Sequence, residues 1–167
     1  MTEPETLAIA LPDEAATGAL AARVAQLAVV GDVVGLSGPL GSGKTVFARA
    51  FIRARLDAAE VPSPTFTLVE VYQSLTGPAV WHFDLYRLER PEEAYELGIE
   101  EAFATGISVI EWPERLGALL PPEHLGVTLE PGATEPARRA RLVLEEVAAP
   151  AADASLVCDP NDPESCR

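Results

Sequence analysis

Apolar residues change their spacing repeatedly between Thr6 and Glu145, and each change predicts an element of structure. Thr6 to Ala10 reads as a short strand. Pro12-Asp13-Glu14 then opens a helix in which Leu20, Val24 and Leu27 recur at helical spacing. Asp32 to Ser37 holds the run Val33-Val34-Gly35-Leu36, the pattern of a strand buried on both faces. A glycine-rich turn and a helix from Lys44 to Leu56 follow it. Pro62 and Pro64 predict a loop from Val61 to Thr65, and β-branched and aromatic residues predict strands over Phe66 to Tyr72 and Val80 to Leu85. Pro91, with Glu92 and Glu93 behind it, suits a helix start, and Gly98 ends or kinks that helix. Further strands are predicted at Ile107 to Ile110, Leu125 to Leu129 and Ala140 to Glu145.

Composition narrows this picture to one domain. The chain has 167 residues, 48% of them hydrophobic, which is enough for a single core and too few for two. Its formal charge of −14 argues against direct binding of DNA or RNA, whose affinity comes from Lys and Arg on phosphates. Arg23, Gln26 and Asp32 interrupt the most apolar stretch, Ala19 to Leu36, so no membrane span is expected. Glu3 and Glu5 stand where a secretory signal carries Lys or Arg, and a cytoplasmic location is the expectation. From Ala148 onward little is left to bury; 148–167 is expected to be a disordered acidic tail, with Cys158 and Cys166 as free thiols.

The candidate chemistry begins at Gly38-Pro39-Leu40-Gly41-Ser42-Gly43-Lys44-Thr45, a phosphate-loop pattern set between a strand and a helix. Its glycines let the backbone wrap a phosphate without Cβ collisions, and the helix that follows presents its positive end. Lys44 suits the β- and γ-phosphates, and the Thr45 hydroxyl suits Mg²⁺. Lys44 is also the sole lysine of the chain. The chance that its neighbours match the other three fixed positions is about 1 in 2,000 on composition.

A phosphate loop of this kind works with a carboxylate at the end of a nearby strand. Asp84 closes the run Val80-Trp81-His82-Phe83, and Glu111 closes Ile107-Ser108-Val109-Ile110. The spacing leaves open which of the two faces the metal. His82 and His124 belong to no ligand-spaced cluster and read as structural or exposed, while Trp81 and Trp112 fit the core.

Leu11-Pro12-Asp13-Glu14, the phosphate loop, Ser63-Pro64-Thr65-Phe66-Thr67-Leu68-Val69, His82-Phe83-Asp84-Leu85-Tyr86-Arg87-Leu88 and Ile110-Glu111-Trp112-Pro113 occur in an order that resembles the TsaE family, also called YjeE. The resemblance spans about Thr6 to Val147. It implies a three-layer α/β P-loop NTPase fold, with a central mostly parallel sheet and helices on both faces. It also implies a weak ATPase that uses ATP and Mg²⁺ and acts with TsaB and TsaD. Those partners threonylcarbamoylate adenosine 37 of tRNA, so tRNA would be met only through them. On the same resemblance Thr45 and Glu111 look like the Mg²⁺ pair and Asp84 like the essential acid of hydrolysis. Thr65 falls on a loop that acts as a nucleotide switch, and Trp112 beside nucleotide and partner. The helix start from Pro12 to Thr17, with Asp13 and Thr17, falls near the adenine, and Arg138 or Arg139 matches a basic pair before the last strand.

Two other readings fit a P-loop chain of this size. A small-molecule kinase brings lid arginines to the phosphoryl group, but Arg87 to Arg115 offers Arg90 and Arg115 among an excess of acid. A non-hydrolysing, nucleotide-dependent scaffold would not need Thr45, Asp84 and Glu111 together.

Overall fold

The computed structural model describes residues 4–56 and 67–145. The anticipated loop at Pro62 and Pro64, Thr65, the tail from Ala148 and both cysteines lie outside the described residues. In chain order the elements are β1 (Thr6–Leu11), α1 (Glu14–Leu27), β2 (Val33–Ser37), α2 (Lys44–Leu56), β3 (Val69–Tyr72) and β4 (Val80–Asp84). A 3₁₀ stretch (Pro91–Leu97), α3 (Ile99–Thr105), β5 (Ile107–Glu111), a second 3₁₀ stretch (Pro113–Leu119), β6 (His124–Pro131) and β7 (Arg138–Glu145) complete them.

The seven strands form one sheet in the order β1-β7-β6-β2-β5-β4-β3. Its middle strands, β6, β2, β5 and β4, run parallel, and the outer pairings are antiparallel. The parallel centre is covered on both faces, which is why β2 and β5 read as unbroken apolar runs. On one face α1 and α2 enclose Val34, Leu36, Val109, Val127 and Leu129 with Phe47, Phe51 and Ile52. On the other, Val33, Phe83 and Ile110 pack under α3 and the 3₁₀ stretches through Ala94, Ile99, Ala102 and Leu116. A three-layer α/β fold results.

Some expectations shift. Leu27 is 82% exposed, and α1 buries Thr17, Ala21 and Ala25 instead. Small side chains on that seam let α1 lie close against α2, and the larger Leu20 and Val24 only flank it. The strand expected from Phe66 starts at Val69, because Leu68 sits at φ 62, a conformation that a strand cannot hold. The segment from Pro91 winds as 3₁₀, and Gly98 at φ 83 breaks it before α3 begins. Leu85 is fully buried but lies one residue past the end of β4.

Candidate functional site

Because β2, β4 and β5 run parallel, their carboxyl ends gather on one edge of the sheet, where α/β folds place ligands. The turn after β2 carries the phosphate loop. Gly38 has φ 140, and a Cβ there would collide with the Leu129 carbonyl and the Ser42 hydroxyl. Gly43, at φ 101, turns the chain into α2, whose first residues are Lys44 and Thr45. The positive end of α2 therefore opens onto this edge.

Lys44 is only 5% exposed. Its Nζ donates to the carbonyls of Gly38 (2.6 Å) and Pro39 (2.8 Å) and to Ser42 Oγ at 3.4 Å. The ammonium thus lies in the hollow of its own loop. Burial pushes its pKa below the usual lysine value, opposed by the nearby charges of Glu111, Glu114 and Asp84. Trp112 covers it, with Nζ 4.1 Å from the ring centroid, and Tyr86 packs on that indole at 5.0 Å. Trp112 itself is held at φ 61, ψ 52, a strained backbone for a non-glycine residue and a common mark of functional sites.

The two candidate carboxylates sit side by side, Asp84 on β4 paired in register with Glu111 on β5. Their environments differ. Glu111 is 2% exposed; its Oε1 accepts the Thr45 hydroxyl at 2.7 Å and its Oε2 lies 2.8 Å from His82 Nε2. Asp84 is half-buried and accepts from the Tyr86 amide at 3.2 Å. Desolvation raises its pKa above the usual aspartate value, the Glu111 charge adds to the rise, and the Tyr86 amide, His82 and Lys44 oppose it. The structure therefore joins Glu111 to Thr45, while Asp84 lines the cleft beside them.

That cleft, of about 490 Å³, is lined by Lys44, Thr45, Asp84, Glu111 and Trp112. Glu14, Thr17, Leu40, Arg87, Pro136 and Arg138 line it as well. Of the basic pair, Arg138 reaches the loop, donating to the Gly41 carbonyl at 3.0 Å, while Arg139 is exposed on β7. Asp13 caps α1 by accepting from the Ala16 amide at 2.8 Å, so Glu14 and Thr17 are the residues of that helix start that line the cleft. Thr65 lies outside the described residues. His124 has a structural role, bonding the Pro121 carbonyl through Nδ1 at 2.8 Å. Trp81 belongs to the core, stacked on Phe83 at 6.1 Å.

His82, read from the sequence as structural or exposed, is fully buried, and its contact with Glu111 was not anticipated. The signal was present: Val80, His82 and Asp84 alternate along one strand and share a face with the candidate acid. Among the described residues, no group of three His, Cys, Asp or Glu could hold a metal ion, and no helix is long and apolar enough to cross a membrane.

Comparison with known proteins bears on the family and the fold. The family model for "Threonylcarbamoyl adenosine biosynthesis protein TsaE" matches residues 11–140. The tRNA threonylcarbamoyladenosine biosynthesis protein TsaE of Rickettsia felis is 42% identical over 121 residues, covering 72% of this chain and 70% of the relative. Its namesake from Bacillus subtilis is 37% identical over 120 residues, covering 71% and 73%. The crystal structure of YdiB from Bacillus subtilis superposes with a TM-score of 0.72 at 26% identity, over 87% of this chain and 89% of that one. With a family model that matches residues 11–140 and relatives 37–42% identical over most of the chain, this chain belongs to the TsaE family.

Proposed function

We propose that the chain binds ATP with Mg²⁺ in this cleft, hydrolyses it slowly, and thereby resets a TsaB–TsaD complex between rounds of threonylcarbamoylation of tRNA adenosine 37. One observation carries the reading: the first hydroxyl of α2 is hydrogen-bonded to the last residue of β5, Thr45 to Glu111 at 2.7 Å, directly beneath a phosphate loop. Hard oxygen donors of that kind suit Mg²⁺, and with no three-ligand protein cluster among the described residues, phosphate oxygens and water would complete its shell. Gly38 fits a backbone cradle, since any Cβ there is excluded. When bound, Mg²⁺ would neutralise charge on the phosphates.

The chain's own residues do the rest. Lys44 gives up the Gly38 and Pro39 carbonyls for phosphate oxygens, which are stronger acceptors. Glu111 orients the Thr45 hydroxyl. Asp84, desolvated and without an ion-pair partner among the described residues, would accept a hydrogen bond from the attacking water. Thr65 senses the γ-phosphate in this reading, and Thr17 and Arg138 flank the nucleoside. Of the arginines between Arg87 and Arg115, Arg87 lines the cleft, whereas Arg90 pairs with Glu93 and the Arg115 guanidinium lies over Tyr86. A kinase lid that brings several arginines to the phosphoryl group is therefore not what lines this cleft. An acidic surface of −14 suits a cytoplasmic protein that meets TsaB and TsaD directly and tRNA only through them.

Co-precipitation with TsaB and TsaD in ATP, ADP or neither, together with multiple-turnover tRNA modification, tests this. Association should depend on nucleotide and weaken in Thr45→Ala and Glu111→Ala. Modification that continued undiminished with Lys44→Ala would contradict it.

A further inference from the structure

His82 is wholly buried at the centre of β4, yet it does not sit there as inert packing. Its Nε2 lies 2.8 Å from Glu111 Oε2, while Nδ1, also buried, has no hydrogen-bond partner among the described residues. A carboxylate offers only acceptors, so Nε2 carries the hydrogen of this bond. An aliphatic side chain would fill the same space without an orphaned nitrogen, so packing alone does not account for a histidine here. What the imidazole supplies is a rigid N–H aimed at one oxygen of Glu111.

The carboxylate is thereby held from both sides. Oε1 takes the Thr45 hydroxyl at 2.7 Å and Oε2 takes the imidazole at 2.8 Å, so its plane cannot turn without breaking a bond. Strand register builds the arrangement. In the parallel β4–β5 pair, His82 lies beside Val109 and Asp84 beside Glu111. Alternate residues share a face, so His82 reaches Glu111 diagonally from below while Asp84 flanks it. His82 does not line the cleft, and its hydrogen bond to the site runs through Glu111.

We propose that His82 is a positioning residue that fixes the Glu111 carboxylate and so sets how strongly Mg²⁺ tightens nucleotide binding. This rests on the nucleotide reading given above. Outer partners of metal-site carboxylates commonly change metal affinity by about 10–100-fold when lost.

The test compares His82→Gln, whose amide nitrogen can take the place of Nε2, with His82→Asn, whose amide nitrogen falls at the Nδ1 position. Nucleotide affinity is measured by calorimetry in EDTA and in Mg²⁺. In EDTA both variants should match the unmodified chain. In Mg²⁺ the Gln variant should keep the metal-dependent gain, and the Asn variant should lose about tenfold of it. Equal gains in the two variants overturn the proposal, as does a loss that is the same with and without Mg²⁺. An unmodified chain whose affinity ignores Mg²⁺ instead overturns the nucleotide reading. A second readout needs no substitution: ¹H–¹⁵N spectra of the imidazole should show the hydrogen on Nε2, and the Nδ1–H tautomer would refute the assignment.

Discussion

Replacing Asp84 with Asn should make the nucleotide-free protein more stable while disabling it. Asp84 and Glu111 are register partners on adjacent strands, which places their backbones about 4.8 Å apart. Two carboxylates at that separation repel by about 3 kcal/mol at an effective dielectric of about 20. Asp84 is only half-buried, so solvent and salt reduce the repulsion to about 0.5–1 kcal/mol. Asn keeps an oxygen for the Tyr86 amide and removes the charge. Because desolvation and Glu111 raise the Asp84 pKa, the folded chain holds that proton more tightly than the unfolded chain. Stability then falls as pH rises from the ordinary aspartate value through the raised one. Below that window aspartate is neutral in both states and Asn gains nothing; above it the full penalty is present and Asn relieves it. Thermal unfolding followed by circular dichroism should place Asp84→Asn about 1–4 °C above the unmodified chain at neutral pH. The gap should close as pH falls below about 4. ATP hydrolysis, assayed with TsaB and TsaD, should drop by about 100-fold or more. An Asn variant that melts lower at neutral pH, or whose advantage does not change with pH, would refute the reasoning.

Other consequences are direct. Gly38→Ala forces a Cβ onto the Leu129 carbonyl at φ 140, and should cost about 1–3 kcal/mol in thermal denaturation and abolish nucleotide binding. Trp112 lies over Lys44 and Trp81 is stacked in the core. Nucleotide should therefore change tryptophan emission in the unmodified chain and in Trp81→Phe, but not in Trp112→Phe. Ala21→Leu, on the buried seam of α1, should cost about 1–3 kcal/mol. Leu27→Gln on the same helix should stay within about 0.5 kcal/mol, as its side chain is in solvent.

What could be read from the sequence was what local chemistry determines. The phosphate loop needs glycines, a lysine and a threonine at fixed spacing, and the start of α2 followed from it. The two candidate acids were visible as charges ending apolar strands, but their division of labour was not. That division depends on which carboxylate meets Thr45 across the sheet, a matter of register between segments far apart in sequence. Alternation along β4 put His82 on the face of Asp84, but its contact with Glu111 depends on the neighbouring strand. Arg138 and Arg139 are neighbours on β7, and only the pairing of that strand decides which one turns to the phosphate loop. In α1 the large residues drew attention to a Leu20–Val24–Leu27 stripe. Close helix packing instead chose the alanines, whose periodicity is easily missed because alanine is common on every face. The antiparallel flanks of the sheet, likewise, arise from strand order and not from any property of single strands.

The account turns on whether the loop from Gly38 to Thr45 grips a triphosphate. Calorimetric titration of the purified chain with ATP and Mg²⁺, beside the same titration of Lys44→Met, decides it most directly. Saturable binding at one site, weakened by about 10–100-fold in the variant, is the predicted result. No heat of binding, with or without TsaB and TsaD, or equal affinity in the variant, would contradict it.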